Sequence, residues 1–218
     1  QTTYRDAYAR YRMLQIARPL YSLMKTVRSA GPKPFRVEQG DGVGRNVDYE
    51  VYENVADALS PMIYQRTPFR YAQNLREMLQ TTPIPARKFW PTITLGYSRP
   101  GVYRETPQAM MLDTIVTAAS GCGGLSHWPS FHQSDAVWFG IHEGLARIAP
   151  VEDFYLDGEP CPGIAMEGLP YHEERIPLGE KTVHLVTPDW RNALITTAHR
   201  LGDEVALTVL NYHQTEEA

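Results

Sequence analysis

From Thr3 to Ser29, apolar side chains recur every three or four positions: Ala7, Tyr11, Leu14, Ala17, Tyr21 and Met24. One such stripe predicts an amphipathic helix. Pro19 removes a backbone donor inside it and predicts a kink, and Gly31-Pro32 ends it. Further on, short apolar runs alternate with helix-patterned stretches. Pro34–Glu38, Leu59–Tyr64, Trp90–Tyr97 and Leu125–Trp128 predict strands. Thr67-Pro68 and Thr106-Pro107 each pair a hydroxyl cap with a proline at the first helical position. The helices they open carry Ala72, Leu75 and Leu79, and Met111, Ile115 and Ala118. A short helix is expected around Tyr49–Ala56. A last one from Asp135 to Ala149 presents Val137, Ile141, Leu145 and Ile148.

Each strand is followed by a helix, which is the pattern of parallel βαβ units. Strands start near 34, 59, 91 and 124, spaced 25 to 33 residues apart, the length of one unit of an eight-fold barrel. The expected fold class is therefore α/β: a partial (β/α)8 (TIM) barrel of about its last four βα units. A flavodoxin-like open sheet is the alternative. After Pro150 the texture changes. Residues 1–156 are expected to form the barrel half, 157–181 a linker or irregular segment, and 182–218 the first strands of a β-sandwich-like domain. Gly202-Asp203 marks a hairpin turn between Asn192–Arg200 and Glu204–Tyr212. Both pieces are expected to be incomplete.

Composition narrows the function classes. The net charge is −4 and no basic run exists that would neutralise a phosphate backbone, which argues against a nucleic-acid partner. No apolar stretch approaches the roughly 20 residues that span a bilayer, so no membrane partner is expected. Gln1 opens on a polar, helix-forming stretch, so no signal peptide is expected within these 218 residues, which says nothing about export if an N-terminal part is missing. Cys122 and Cys161 make neither a disulfide framework nor a metal knuckle.

Several stretches resemble barrel glycoside hydrolases, including β-galactosidase-like and putative types. They are Val55–Tyr64, with an aspartate before a strand ending Pro61-Met62-Ile63-Tyr64; Trp90–Tyr97; Ala119–Pro129, beyond the Thr106-Pro107 helix; and Leu145–Asp153, like a last barrel helix before an appended β domain. The resemblance implies a carbohydrate substrate, no cofactor, and a missing N-terminal barrel half or a partner chain covering the open edge. It also exposes a departure. Where the family places a nucleophilic glutamate, after the seventh strand, this chain has Gly96-Tyr97-Ser98, and Glu105 comes only later.

Barrel chemistry sits at the C-terminal ends of strands. That rule selects Glu38 as the acid/base candidate, with Asp41 beside it as a substrate contact or a turn residue. Glycosidic cleavage needs two carboxyl groups, about 5–5.5 Å apart for retention or about 6.5–9.5 Å for inversion. Tyr64, Gln65 and Tyr97 offer hydrogen bonds to sugar hydroxyls, and His127 and Trp128 a polar tip and a stacking face. The spacing of His127 and His132 fixes no third ligand, so no metal is expected. Gly40, Gly42 and Gly44 match G-x-G-x-x-G only in part, since Arg45 stands at the third position. Three readings result: a hydrolase fragment inactive by itself, a non-catalytic carbohydrate-binding barrel or pseudoenzyme, or an open-sheet enzyme with a phosphorylated ligand.

Overall fold

The structure is a computed structural model describing residues 4–32, 34, 36–39, 56–63, 68–82, 84–95, 106–129, 135–161, 172–178, 181–187 and 194–212. Helix α1 runs from Tyr4 to Ser29 and continues past Pro19. The strands β1 (Arg36–Gln39), β2 (Ala58–Pro61), β3 (Thr92–Leu95) and β4 (Ser126–Pro129) then alternate with α2 (Pro68–Thr81), α3 (Pro107–Ala119) and α4 (Asp135–Ile148). The short helix expected near Tyr49 falls almost wholly outside the described residues.

Strand order follows chain order. β1 pairs with β2 and β3 with β4, both in parallel. Parallel bridges Leu59↔Phe89 and Met62↔Thr92 join β2 to β3, carried by Trp90 N–H to Leu59 O at 2.8 Å and Ile63 N–H to Thr92 O at 3.0 Å. The helices lie side by side in the same order. Tyr71 of α2 meets Thr117 of α3 at 2.7 Å between hydroxyls, and α3 packs closely along α4. Sequential winding of this kind has no point where the strand order reverses, as a doubly wound sheet would. Among the described residues the strands do not close on themselves, and β1 and β4 each have one neighbour.

Side-chain alternation divides the sheet into two faces. Leu59, Phe89 and Ile93 turn to the helices and join Tyr71, Leu75, Met78, Met110 and Val116 in the core. Arg36, Glu38, Ser60, Thr92 and Ser126 occupy the other face, where hydrogen bonds connect them. That face is concave. Arg36 stands level with Ala58, whereas Ser126 stands level with Thr92 and Met62, four residues further along β2. In a flat sheet these two positions would lie roughly 20 Å apart, from strand spacing and rise. No arginine spans that, yet Arg36 Nη1 donates to Ser126 Oγ. The strands therefore tilt and roll around this face.

Local chemistry explains the boundaries. Thr106 Oγ1 accepts from Ala109 N–H at 3.1 Å and caps α3, with Pro107 at its first position. Gly121 ends the helical segment at φ 75°, the left-handed geometry that favours glycine. Beyond it the Trp90 indole lies against Gly124, where an added Cβ would come within 2.8 Å of the ring.

The C-terminal part is antiparallel. β5 (Glu159–Pro160), β8 (Leu194–Leu201) and β9 (Glu204–Asn211) form one sheet, and β6 (His172–Leu178) pairs with β7 (Lys181–Thr187). Residues 157–181, expected to be irregular, thus hold β5 and β6. Charged residues and Pro177 hide β6 in the sequence, and pairing with β7, such as Arg175↔His184, supplies what its local propensity lacks. The three-stranded sheet docks on the helices. Tyr155 of α5 (Glu152–Leu156) shares a hydrogen bond with Thr208 and sets its ring edge-on to His199 at 5.6 Å. Tyr212 packs edge-on against Phe69 of α2 at 5.7 Å.

Burial pushes the Cys122 thiol up to about 12, while Cys161 is half-buried. Thiolate is the reactive form. Native alkylation at neutral pH is expected to modify Cys161 and spare Cys122, with both modified after denaturation, as read by peptide mass spectrometry.

Candidate functional site

The concave face gathers a charged pair over hydroxyls. Glu38 Oε2 accepts from Arg36 Nη2 at 3.4 Å, and its Oε1 accepts from Thr92 Oγ1 at 3.3 Å. The Ser60 hydroxyl donates to the Trp90 carbonyl, and its oxygen lies 2.9 Å from Thr92 Oγ1. Ser60 and Thr92 are fully buried. The Glu38 and Arg36 side chains above them keep about a third of their surface open, at 31% and 36%. Four strands thus contribute to one polar network, and its only carboxylate reaches solvent.

Of the residues selected from sequence, Glu38 belongs to this network. Trp128 lies on the concave side by alternation with Ser126 and is exposed, so its indole is free to stack. His127 points the other way. Its ring meets Trp138 of α4 edge-on at 6.0 Å, on the side of the strand opposite Trp128. Neighbouring residues of a strand cannot share a face. Asp41, Tyr64, Gln65, Tyr97 and His132 lie outside the described residues, as do Gly40, Gly42, Gly44 and Glu105. Arg36, Ser60, Thr92 and Ser126 escaped the sequence reading. Period-two alternation through Glu38 would have found Arg36, because i and i+2 share a face. The hydroxyls could be found only once strand register was known.

Chemically, the network can hold a carboxylate in one orientation and present it to a polar ligand. Among the described residues no group of three His, Cys, Asp or Glu is arranged to hold a metal, and no helix is long and apolar enough to cross a membrane. No family model, no curated protein and no solved structure matches the chain.

Two histidines stand apart from this face. Burial lowers the pKa of both His127 and His199 from the ordinary 6.5. His127 Nε2 and His199 Nδ1 are buried without hydrogen-bond partners. The neutral form is therefore the one the fold accepts. Above about pH 6.5 folded and unfolded chains are both neutral there, and the full stability is present. Below it the unfolded chain binds protons that the folded chain refuses, and stability falls. The unfolding midpoint is expected to drop between pH 7 and pH 5. A His127→Leu/His199→Leu double variant should show a shallower drop over the same interval. An unchanged slope would remove both histidines from the explanation.

Proposed function

We infer that this chain supplies about the last four βα units of a (β/α)8 barrel in a glycoside hydrolase-like protein, followed by the start of a β domain. Its concave face forms part of a cleft for an oligosaccharide or polysaccharide. The observation that carries the reading is the solvent-reaching carboxylate of Glu38, held by Arg36 and Thr92 on the concave face of sequentially wound parallel strands. In this reading Glu38 is the acid/base, and Trp128 offers its flat face to a sugar ring. Arg36 Nη2 and Thr92 Oγ1 orient the carboxyl group. The strands themselves support a barrel reading by their order, tilt and concavity.

Glycosidic cleavage requires a second carboxyl group. Among the described residues of β1 to β4, Glu38 is the one acid on the concave face. Half of the barrel's strand tops lie outside these four units, so in this reading the 218-residue chain has no activity by itself. The sequence Gly96-Tyr97-Ser98, where the resemblance places the family's nucleophilic glutamate, favours a second reading, a non-catalytic carbohydrate-binding barrel.

Two measurements test these readings. Binding of the chain to an oligosaccharide panel by calorimetry is expected to weaken at least tenfold in Trp128→Ala, a loss of about 1.4 kcal/mol or more. Hydrolysis of the same panel by the full product of the gene is expected to fall about 10²–10⁴-fold in Glu38→Gln, the range of general acid–base catalysis. Binding without hydrolysis selects the non-catalytic barrel. Neither binding nor hydrolysis across the panel ends the carbohydrate assignment.

A further inference from the structure

We propose that the concave face takes an acidic sugar, a hexuronic acid residue whose carboxylate is received by Arg36 while Trp128 stacks on its ring. The proposal rests on the carbohydrate reading above and adds the substrate class. Arg36 is the one cation on the concave face among the described residues of β1 to β4, and its side chain is 36% exposed. If its task ended at holding Glu38, the pair would be short and two-pronged, at about 2.7–2.9 Å. Instead a single contact of 3.4 Å joins Nη2 to Glu38 Oε2, and Nη1 of the same guanidinium reaches across to Ser126 on β4. A guanidinium carries five N–H donors. Glu38 and Ser126 take one each, so three are left without a protein partner among the described residues.

The hydroxyls around the pair narrow the ligand. Ser60 gives its hydrogen to the Trp90 carbonyl and Thr92 gives its own to Glu38, so neither donates to a guest. Ser126 accepts from Arg36 and keeps its hydrogen. What the face offers beside Ser126 is therefore a cluster of donors carrying one positive charge. An ionised carboxylate only accepts, and its two oxygens match the planar fork. A sugar hydroxyl both donates and accepts and brings no charge, so it uses this cluster less fully. A phosphate monoester brings about −1.5 to −2 charges, more than one guanidinium shared with Glu38 can offset. Placement agrees. Ser126 and Trp128 stand on the same side of β4, two residues or roughly 7 Å apart, and the Trp128 indole is exposed. A pyranose ring lying on that indole, with its C-5 carboxylate turned to the guanidinium, is long enough to span the interval. Glu38, on the other terminal nitrogen, competes for the same charge when ionised and yields it when it carries the proton of a general acid.

Calorimetry on the 218-residue chain tests this with tetramers of galacturonate, mannuronate and guluronate, each beside its carboxyl-reduced neutral form. At least one acidic tetramer is expected to bind about tenfold or more tighter than its reduced form, the scale of a hydrogen bond to a charged group. Arg36→Gln should abolish that preference, and Glu38→Gln, which removes the competing carboxylate, should widen it. Circular dichroism checks that the variants fold. Should Arg36→Gln fail to, Arg36→Lys keeps the charge without the fork and should shrink the preference. Acidic tetramers that bind no tighter than their reduced forms would overturn the proposal and leave the carbohydrate reading standing. So would a preference that persists at full size without the Arg36 guanidinium, or sulfated or phosphorylated neutral tetramers that bind more tightly than the acidic ones. No binding to any tetramer ends the proposal, and if the wider oligosaccharide panel is silent as well, the carbohydrate reading falls with it.

Discussion

Truncating Phe89 to alanine is expected to lower the unfolding free energy by about 3–5 kcal/mol, the range for emptying a fully buried aromatic site. Phe89 has no exposed surface. Its backbone is tied on two sides. It bridges Leu59 of β2, and its carbonyl accepts from Gly123 N–H at 3.1 Å, in the segment that leads into β4. The surroundings are therefore poorly placed to collapse into the space left behind, which puts the loss in the upper part of that range. Urea titration followed by far-ultraviolet circular dichroism measures it. Leu207→Ala is the comparison, because Leu207 is exposed on β9 and should shift stability by no more than about 0.5 kcal/mol. Similar losses at the two sites would show that Phe89 is not an anchor of this core.

The second large effect is expected at Gly140. A Cβ built there overlaps the carbonyl group of Pro107, the first residue of α3. The obstacle is backbone, and it cannot swing away as a flexible side chain would. Helix propensity alone predicts that Gly140→Ala stabilises α4 by about 1 kcal/mol. Separating α3 from α4 costs more, so a net loss of about 2–3 kcal/mol is expected. At Gly144 the added Cβ meets the Thr114 side chain at 2.8 Å and the Met111 carbonyl oxygen at 3.1 Å. Gly144→Ala should therefore destabilise less than Gly140→Ala. A stabilising Gly140→Ala in the same titration would mean that the two helices are not in close contact.

These two sites also show where the sequence was legible. Phe89 lies just before the predicted strand Trp90–Tyr97, and its burial followed from no periodic pattern. The spacing of Gly140 and Gly144 on one helix face is visible in the chain, but the carbonyl that demands a glycine at 140 belongs to another element. Caps and turns were readable because their signals are local. Thr106-Pro107 opens α3, and Gly202-Asp203 separates β8 from β9. Strand β6 was unreadable because charged residues and Pro177 depress its propensity and its stabilising contacts come from β7. At the candidate site, strand-end logic selected Glu38 together with both His127 and Trp128. Alternation separates the last two, and the cross-strand partners Ser60, Thr92 and Ser126 emerge only from the way β1 to β4 stagger.

The sequential winding of β1 to β4 has a kinetic consequence. Each of β2, β3 and β4 docks on the strand emitted just before it, so none of these pairings waits for a distant part of the chain. Loop closure is kept short at each step. The unit can consolidate progressively as it leaves the ribosome, with β1 and β2 already joined before the residues of β4 are synthesised. Stalled nascent chains ending after α2 should then already protect the β2 backbone that faces β1, whereas the side of β2 that later receives Trp90 N–H stays open until β3 arrives.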